Sequence, residues 1–196
     1  MSVAPMEKTR QKDNIDPVKW LDEHGDALYA FALMRVREPS QAEDLVQETL
    51  LAALESAGNF KGESTERTWL TGILKHKILD YLRRSKREQP LTDEDEANME
   101  NMHMFDETGH WTVKPVDWSN PDRALENEQF WNSMKNCVEK LPEKLRTLYI
   151  LREFDDIKAD ALLETLNISS MNNLWVMLSR ARMQLRQCLE MNWFNT

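Results

Sequence analysis

Apolar residues along this chain recur every three to four positions, and no stretch alternates apolar and polar residues as a half-buried strand would, so the pattern predicts helices throughout. The first opens with Asp16 as N-cap and Pro17 at the first helical position. It carries Trp20, Leu21, Ala27, Leu28, Phe31 and Met34 and stops before Pro39. Ser40 and Glu43 form an S-x-x-E capping box that opens a second helix, closed by Gly58. Its inner stripe is Ala42, Leu45, Val46, Leu50, Ala53, Leu54 and Ala57, while Asp44, Gln47, Glu48, Leu51 and Glu55 share the other face. Leu51 among acids reads either as part of a solvated charged face or as a docking surface. The polar loop GNFKGESTE leads into a third helix from about Glu66 to Arg84. Leu70, Ile73, Leu74, Ile78, Tyr81 and Leu82 cover one side of it; Lys75, His76, Leu79, Asp80 and Arg83 cover the other. Trp69 stands at the border near the loop, and Lys77 projects toward the apolar side and snorkels past it.

Periodicity fails from Ser85 to Ser119, a polar and acidic stretch read as a linker, in which Met99, Met102, Met104, Phe105, Trp111 and Trp118 are scattered. These apolar residues dock on a partner or fold back on the chain's own domain. Asn120 and Pro121 announce the next helix, which carries Phe130, Trp131, Met134, Cys137 and Val138 toward Leu141. Pro142 starts another, PEKLRTLYILREF; DDIKADALLETLNI is a short helix and SSMNNLWVMLSRARMQLRQCLE a last one. Two short helices with a tight turn and an Arg-rich second member suit a helix-turn-helix, against the plainer alternative of a helical bundle. The expected fold is all-α: a disordered leader over residues 1–14, a helical domain over 15–88, an acidic linker over 89–119 and a second helical domain over 120–196.

Composition agrees, with five glycines and a charged fraction of 30% in 196 residues. The formal net charge of −9 conceals segregation. Basic residues exceed acidic ones from Lys61 to Arg87, whereas Lys114 is the single Lys or Arg between Glu88 and Asp122, against a run of acids that includes Asp93, Glu94, Asp95 and Glu96. Cys137 and Cys188 lie far apart in sequence and in helical surroundings, and read as buried small hydrophobes rather than a zinc pair or a disulfide. His103 and His110 are polar linker residues. No metal site or cofactor is expected. The polar start and the lack of a long apolar run predict a cytoplasmic protein without membrane insertion.

An aromatic ring and cations at a loop-to-helix junction suit unstacked bases, since the ring accepts a base face and the cations neutralise phosphates. By itself the pattern is unspecific. In order, however, AEDLVQETLLAAL, FKGESTERTWLTGILKHKILDYLRR, an acidic linker, LPEKLRTLYILREFDD and LWVMLSRARMQLRQCLE resemble the extracytoplasmic-function class of sigma-70-type RNA polymerase sigma factors, from about Asp16 to Phe194. The resemblance implies a non-enzymatic initiation factor that binds core RNA polymerase, through the coiled coil of its largest subunit and the flap of its second-largest, and directs it to promoters. It assigns Asp44, Gln47, Glu48 and Leu51 to polymerase binding, and Phe60, Lys61, Gly62, Trp69, Lys75, His76 and Arg83 to capture and melting of the −10 element. The second domain would read the −35 element through Asn172, Asn173, Val176, Ser179 and Arg180. An anti-sigma factor is a further partner that the family implies.

Two departures bear on specificity. With Leu174, Leu178, Ala181 and Leu185 inward, the last helix turns Asn172, Asn173, Val176, Ser179, Arg180 and Met183 outward, and Arg180 is the one cation among them. The −35 contact is therefore expected to be weakened, with another protein helping to recruit this domain. His76 stands where relatives frequently carry asparagine, so a −10 base preference does not transfer. The rival reading is a stand-alone helix-turn-helix regulator that needs no polymerase. An enzyme is disfavoured, because the chain has no Ser/His/Asp set, phosphate loop or Cys/His cluster.

Overall fold

The computed structural model describes residues 16–88 and 128–194, all helix and turn. The expected leader, the acidic linker and the Asn120–Pro121 start signal lie outside the described residues. The chain divides into two compact units, Met1–Leu82 and Arg83–Thr196.

In the first unit, Asp16 caps a 3₁₀ turn, Pro17–Lys19, accepting the Val18 N–H at 3.3 Å, and the turn runs into α1, Trp20–Val36. Arg37 ends α1 in the left-handed region (φ 58°), its N–H reaching the Leu33 carbonyl at 2.9 Å. α2, Pro39–Ser56, starts earlier than the S-x-x-E pattern suggests. Pro39 takes the first helical position and Ser40 donates to Glu38 at 3.1 Å, so the expected capping box does not form. After a 3₁₀ turn, Ala57–Asn59, and the loop, α3 spans Glu66–Glu88. Thr65 caps it, Oγ1 accepting the Thr68 N–H at 3.2 Å.

The core of this unit is Trp20, Leu28 and Ala32 of α1, Ala42, Leu45, Val46 and Ala53 of α2, and Leu70, Leu74, Ile78 and Leu82 of α3. Ala32, Ala42 and Ala53 are fully buried, and their small side chains let helix backbones approach closely. The inner arc of α2 centres on Ala42, Thr49 and Ala53. Leu54, expected inside, therefore falls beyond its edge and is 51% exposed. Thr49 is buried without penalty because its hydroxyl donates to the Leu45 carbonyl at 2.7 Å.

Among the described residues after 127, the second unit holds α4, Glu128–Glu139; α5, Glu143–Tyr149, continued by a wider turn Ile150–Phe154; α6, Ala159–Thr165; and α7, Met171–Leu189, continued to Phe194. α7 touches α4, α5 and α6, and Leu174, Leu178, Ala181 and Leu185 are buried as its pattern required. Between α6 and α7, Asn167 adopts φ 49° and the Ile168 N–H reaches back to the Leu163 carbonyl at 3.0 Å, a Schellman-type closure. Ser170 then caps α7 by accepting the Asn173 N–H at 3.1 Å.

Cys137 and Cys188 form a disulfide, contrary to the expectation of two free buried thiols. Although 51 residues apart in sequence, they sit on contacting helices, α4 and α7, with Cα atoms 5.8 Å apart. The bond is set within a core of Phe130, Val138, Leu141, Ile150, Ala181, Leu185 and Leu189.

Candidate nucleic-acid interface

The outer face of α2 presents Asp44, Gln47, Glu48 and Leu51 together, at helical spacing and all exposed, with Leu51 61% exposed. Glu48 is not isolated: Lys77 of α3 donates to it at 3.2 Å, the end point of the expected snorkelling lysine. Beside this face a groove of about 700 Å³ between α1 and α2 is lined by Leu21, Gly25, Tyr29 and Val46, with Asp22, Asp26 and Glu43 supplying negative charge. A Cβ on Gly25 would stand 3.2 Å from Leu21 Cδ1, so a larger residue there would require the exposed Leu21 side chain to shift. Apolar surface flanked by carboxylates suits a partner that is itself apolar and basic. The sequence pattern assigned only the α2 half of this region; the α1 half required the packing.

The loop-to-α3 junction brings Phe60 and Trp69 into contact, ring centroids 5.2 Å apart. Trp69 in turn stands edge-on to Trp20, centroids 5.7 Å apart and planes at 66°. Lys61 and Gly62 are exposed between them in sequence. Gly62 has φ +67°, a conformation that L side chains avoid, although a Cβ there would meet nothing within 4 Å. Farther along α3, His76 is exposed and Lys75 half-buried. Arg83, which begins the second unit, has its Nε 3.3 Å from the Glu164 carboxylate, so this candidate phosphate contact already carries a counter-charge.

Sequence reasoning missed Glu66. A single oxygen of its carboxylate, Oε2, accepts the Trp20 indole N–H at 3.2 Å and lies 3.5 Å from His24 Nε2. Trp20 is 1% exposed, so its N–H needs a partner inside the protein; leaving a buried donor unpaired costs about 1–3 kcal/mol. Glu66 also stands at the first turn of α3, where negative charge is favoured by the helix dipole. The available signal was a lone acid opening an amphipathic helix, which says nothing about what the carboxylate reaches.

On α7, Asn172 is exposed, whereas Asn173, Val176, Ser179 and Arg180 are half-buried. The Asn173 amide donates to Ser169 at 3.1 Å, holding the turn. Met183, expected outward, is 4% exposed, because α7 contacts three helices and is covered over more than one stripe. Residues outside the expected set share the surface, among them Trp175, 44% exposed, and Arg182, which pairs with Glu153 at 2.7 Å. Arg186 pairs with Glu190 at 2.8 Å. Arg182 and Arg186 thus carry carboxylate partners, whereas the buried Nε of Arg180 makes no hydrogen bond. Among the described residues no cluster of His, Cys, Asp and Glu could hold a metal ion, and no helix is long and apolar enough to cross a membrane.

Residues 20–88 match the Sigma-70 region 2 family. Over 167 residues the chain is 36% identical to a "Probable RNA polymerase sigma factor" of Haemophilus influenzae, covering 83% of this chain and 84% of that one. It is 30% identical to the RNA polymerase sigma-H factor of Pseudomonas aeruginosa, over 62% of this chain and 60% of the relative. It is 31% identical to the ECF RNA polymerase sigma-E factor of Escherichia coli K12, over 61% and 59%. The sigma factor RpoE of Bartonella quintana, solved in complex with the anti-sigma factor NepR, is similar at 22% identity over 89% of this chain and 97% of that one, with a TM-score of 0.42, too loose an overlap to carry an argument.

Proposed function

Since this chain belongs to the extracytoplasmic-function class of the sigma-70 family of RNA polymerase sigma factors, we propose that its first unit both docks on core polymerase and opens the −10 element. The observation that carries the proposal is the placement of two unlike surfaces on one small body: an exposed acid-and-leucine face on α2, and an aromatic-and-cation junction between the loop and α3. In this reading Asp44, Gln47, Glu48 and Leu51 engage the largest-subunit coiled coil. The α1–α2 groove enlarges that contact, and its carboxylates match a basic partner.

Phe60, Lys61, Gly62, Trp69, Lys75 and His76 form the DNA-facing surface of the first unit, and Arg83, the first residue of the second unit, is proposed as a further phosphate contact. Extracting a base from the stack costs a few kcal/mol, and each base stacked on an aromatic ring returns about 1–3 kcal/mol. A preformed Phe60–Trp69 pair supplies that return without first having to order its rings. Gly62 supplies the left-handed turn, φ +67°, in the loop between Phe60 and α3, while Lys61 meets the displaced phosphate backbone. His76 donates or accepts a hydrogen bond at a base edge.

The α6–turn–α7 arrangement is proposed to enter the major groove at the −35 element, with Asn172, Asn173, Val176, Ser179 and Arg180 at its reading end. Because Arg182 and Arg186 already hold carboxylates, few cations are left to anchor phosphates, and this contact contributes less to promoter binding than the first unit does. Reconstitution of the full chain with core polymerase tests the proposal: promoter-specific transcripts should appear, and Phe60→Ala should abolish strand opening while leaving core binding intact. A stand-alone regulator would instead bind duplex DNA without polymerase.

A further inference from the structure

We propose that Glu66 is the positioning residue of the −10 surface, setting the angle of the Phe60–Trp69 platform through the buried indole of Trp20. The inference rests on the reading that this platform meets the melted strand. The contacts form a continuous series. Glu66 Oε2 takes the Trp20 N–H at 3.2 Å, which fixes the rotation of an indole that is 1% exposed. That indole and the Trp69 ring pack edge to face, centroids 5.7 Å apart, and Trp69 meets Phe60 at 5.2 Å. The Phe60 N–H donates to the Ala57 carbonyl at 3.2 Å, a backbone bond that does not itself set the angle of the ring.

Glu66 touches neither Phe60 nor DNA in this scheme. It acts at the start of α3, where Thr65 caps the helix and the carboxylate reaches across to α1. His24 Nε2 lies 3.5 Å from the same oxygen without a hydrogen-bond alignment, so the indole N–H is the directional contact. A loop aromatic held this way depends on a residue of the opposite helix, which couples the DNA-facing surface to the α1–α2 body.

The test uses the full chain with core polymerase and a promoter carrying a fluorescent base in the −10 element, with three readouts: core affinity, thermal unfolding and open-complex amplitude. Glu66→Ala should lower open-complex formation by about tenfold, as expected for loss of one oriented hydrogen bond, with core affinity changed by less than about twofold. Glu66→Gln should restore most of the amplitude, because the amide oxygen still accepts the indole N–H. In a Trp20→Phe background, which lacks the donor, Glu66→Ala should add less than about twofold. The inference is overturned by any of three results: opening by Glu66→Ala equal to wild type, parallel loss of core binding and opening, or failure of Gln to restore activity. Phe60→Ala separates the two claims. If it retains opening, the platform reading itself fails; if it loses opening while Glu66→Ala does not, only the positioning role fails.

Discussion

Breaking the Cys137–Cys188 bond should destabilise the second unit by a margin large enough to see in a simple melt. The bond closes a loop of 51 residues between α4 and α7. The chain-entropy relation for such a loop gives on the order of 4 kcal/mol, and residual structure in the unfolded chain reduces this to about 2–4 kcal/mol. For a unit of this size each kcal/mol moves the midpoint by ~4–8 °C, so the transition of α4–α7 should fall by roughly 10–30 °C. The assay is thermal unfolding of the full chain followed by near-ultraviolet circular dichroism, with and without a dithiol reductant. Cys137→Ala/Cys188→Ala should melt like the reduced wild type and be indifferent to reductant. A midpoint unchanged by reductant, or two alkylatable thiols in the oxidised native protein, would refute the reasoning. The bond also carries a cellular consequence, since reducing compartments keep thiols unpaired. There, the second unit would operate without its staple and correspondingly nearer its unfolding threshold.

Leu51→Glu places a further charge on an exposed position, so it should weaken core polymerase binding by about tenfold with a thermal midpoint shifted by less than about 1 °C; competition against a labelled sigma factor reads this directly. Gly62→Ala meets no atom but must hold φ +67°, and should cost about 1–2 kcal/mol of loop order, visible as weaker opening and faster hydrogen exchange across residues 60–65. Burial first, and Glu153 second, raise the Tyr149 phenol above its ordinary 10.0, with Arg182 opposing them. The native state therefore holds this proton more tightly than the unfolded chain. Its contribution to stability is complete below about pH 10 and is lost as pH rises through the raised value, which a phenolate absorbance titration should show by lagging behind free tyrosine.

Helix positions were legible wherever one apolar stripe met solvent on the other side. α3 shows this best: Leu70, Leu74, Ile78 and Leu82 are buried where the period puts them, and His76 and Asp80 are exposed opposite. The pattern failed where burial depends on several neighbours. Met183 is buried because α7 is packed by three helices, and Leu54 is exposed because the inner arc of α2 is centred elsewhere. Long-range partners leave no periodic trace, so neither the disulfide nor the Glu66–Trp20 contact, 46 residues apart, could be read from spacing. The candidate surfaces could be named from the sequence for a different reason. Their residues lie within continuous stretches of α2 and the loop-to-α3 junction, so a linear motif already contains them, whereas the α1 side of the groove does not share that motif.

Bound to core polymerase, this chain is proposed to open promoter DNA with the Phe60–Trp69 junction. Mapping unpaired thymines in the −10 element by permanganate, with core polymerase alone, with the full chain added, and with Phe60→Ala added, tests it most directly. Reactivity is expected only with the full chain, and should be lost in Phe60→Ala despite unchanged core binding. Reactivity that persists in the variant, or binding of the chain to intact duplex without polymerase and without any unpaired thymine, would contradict it.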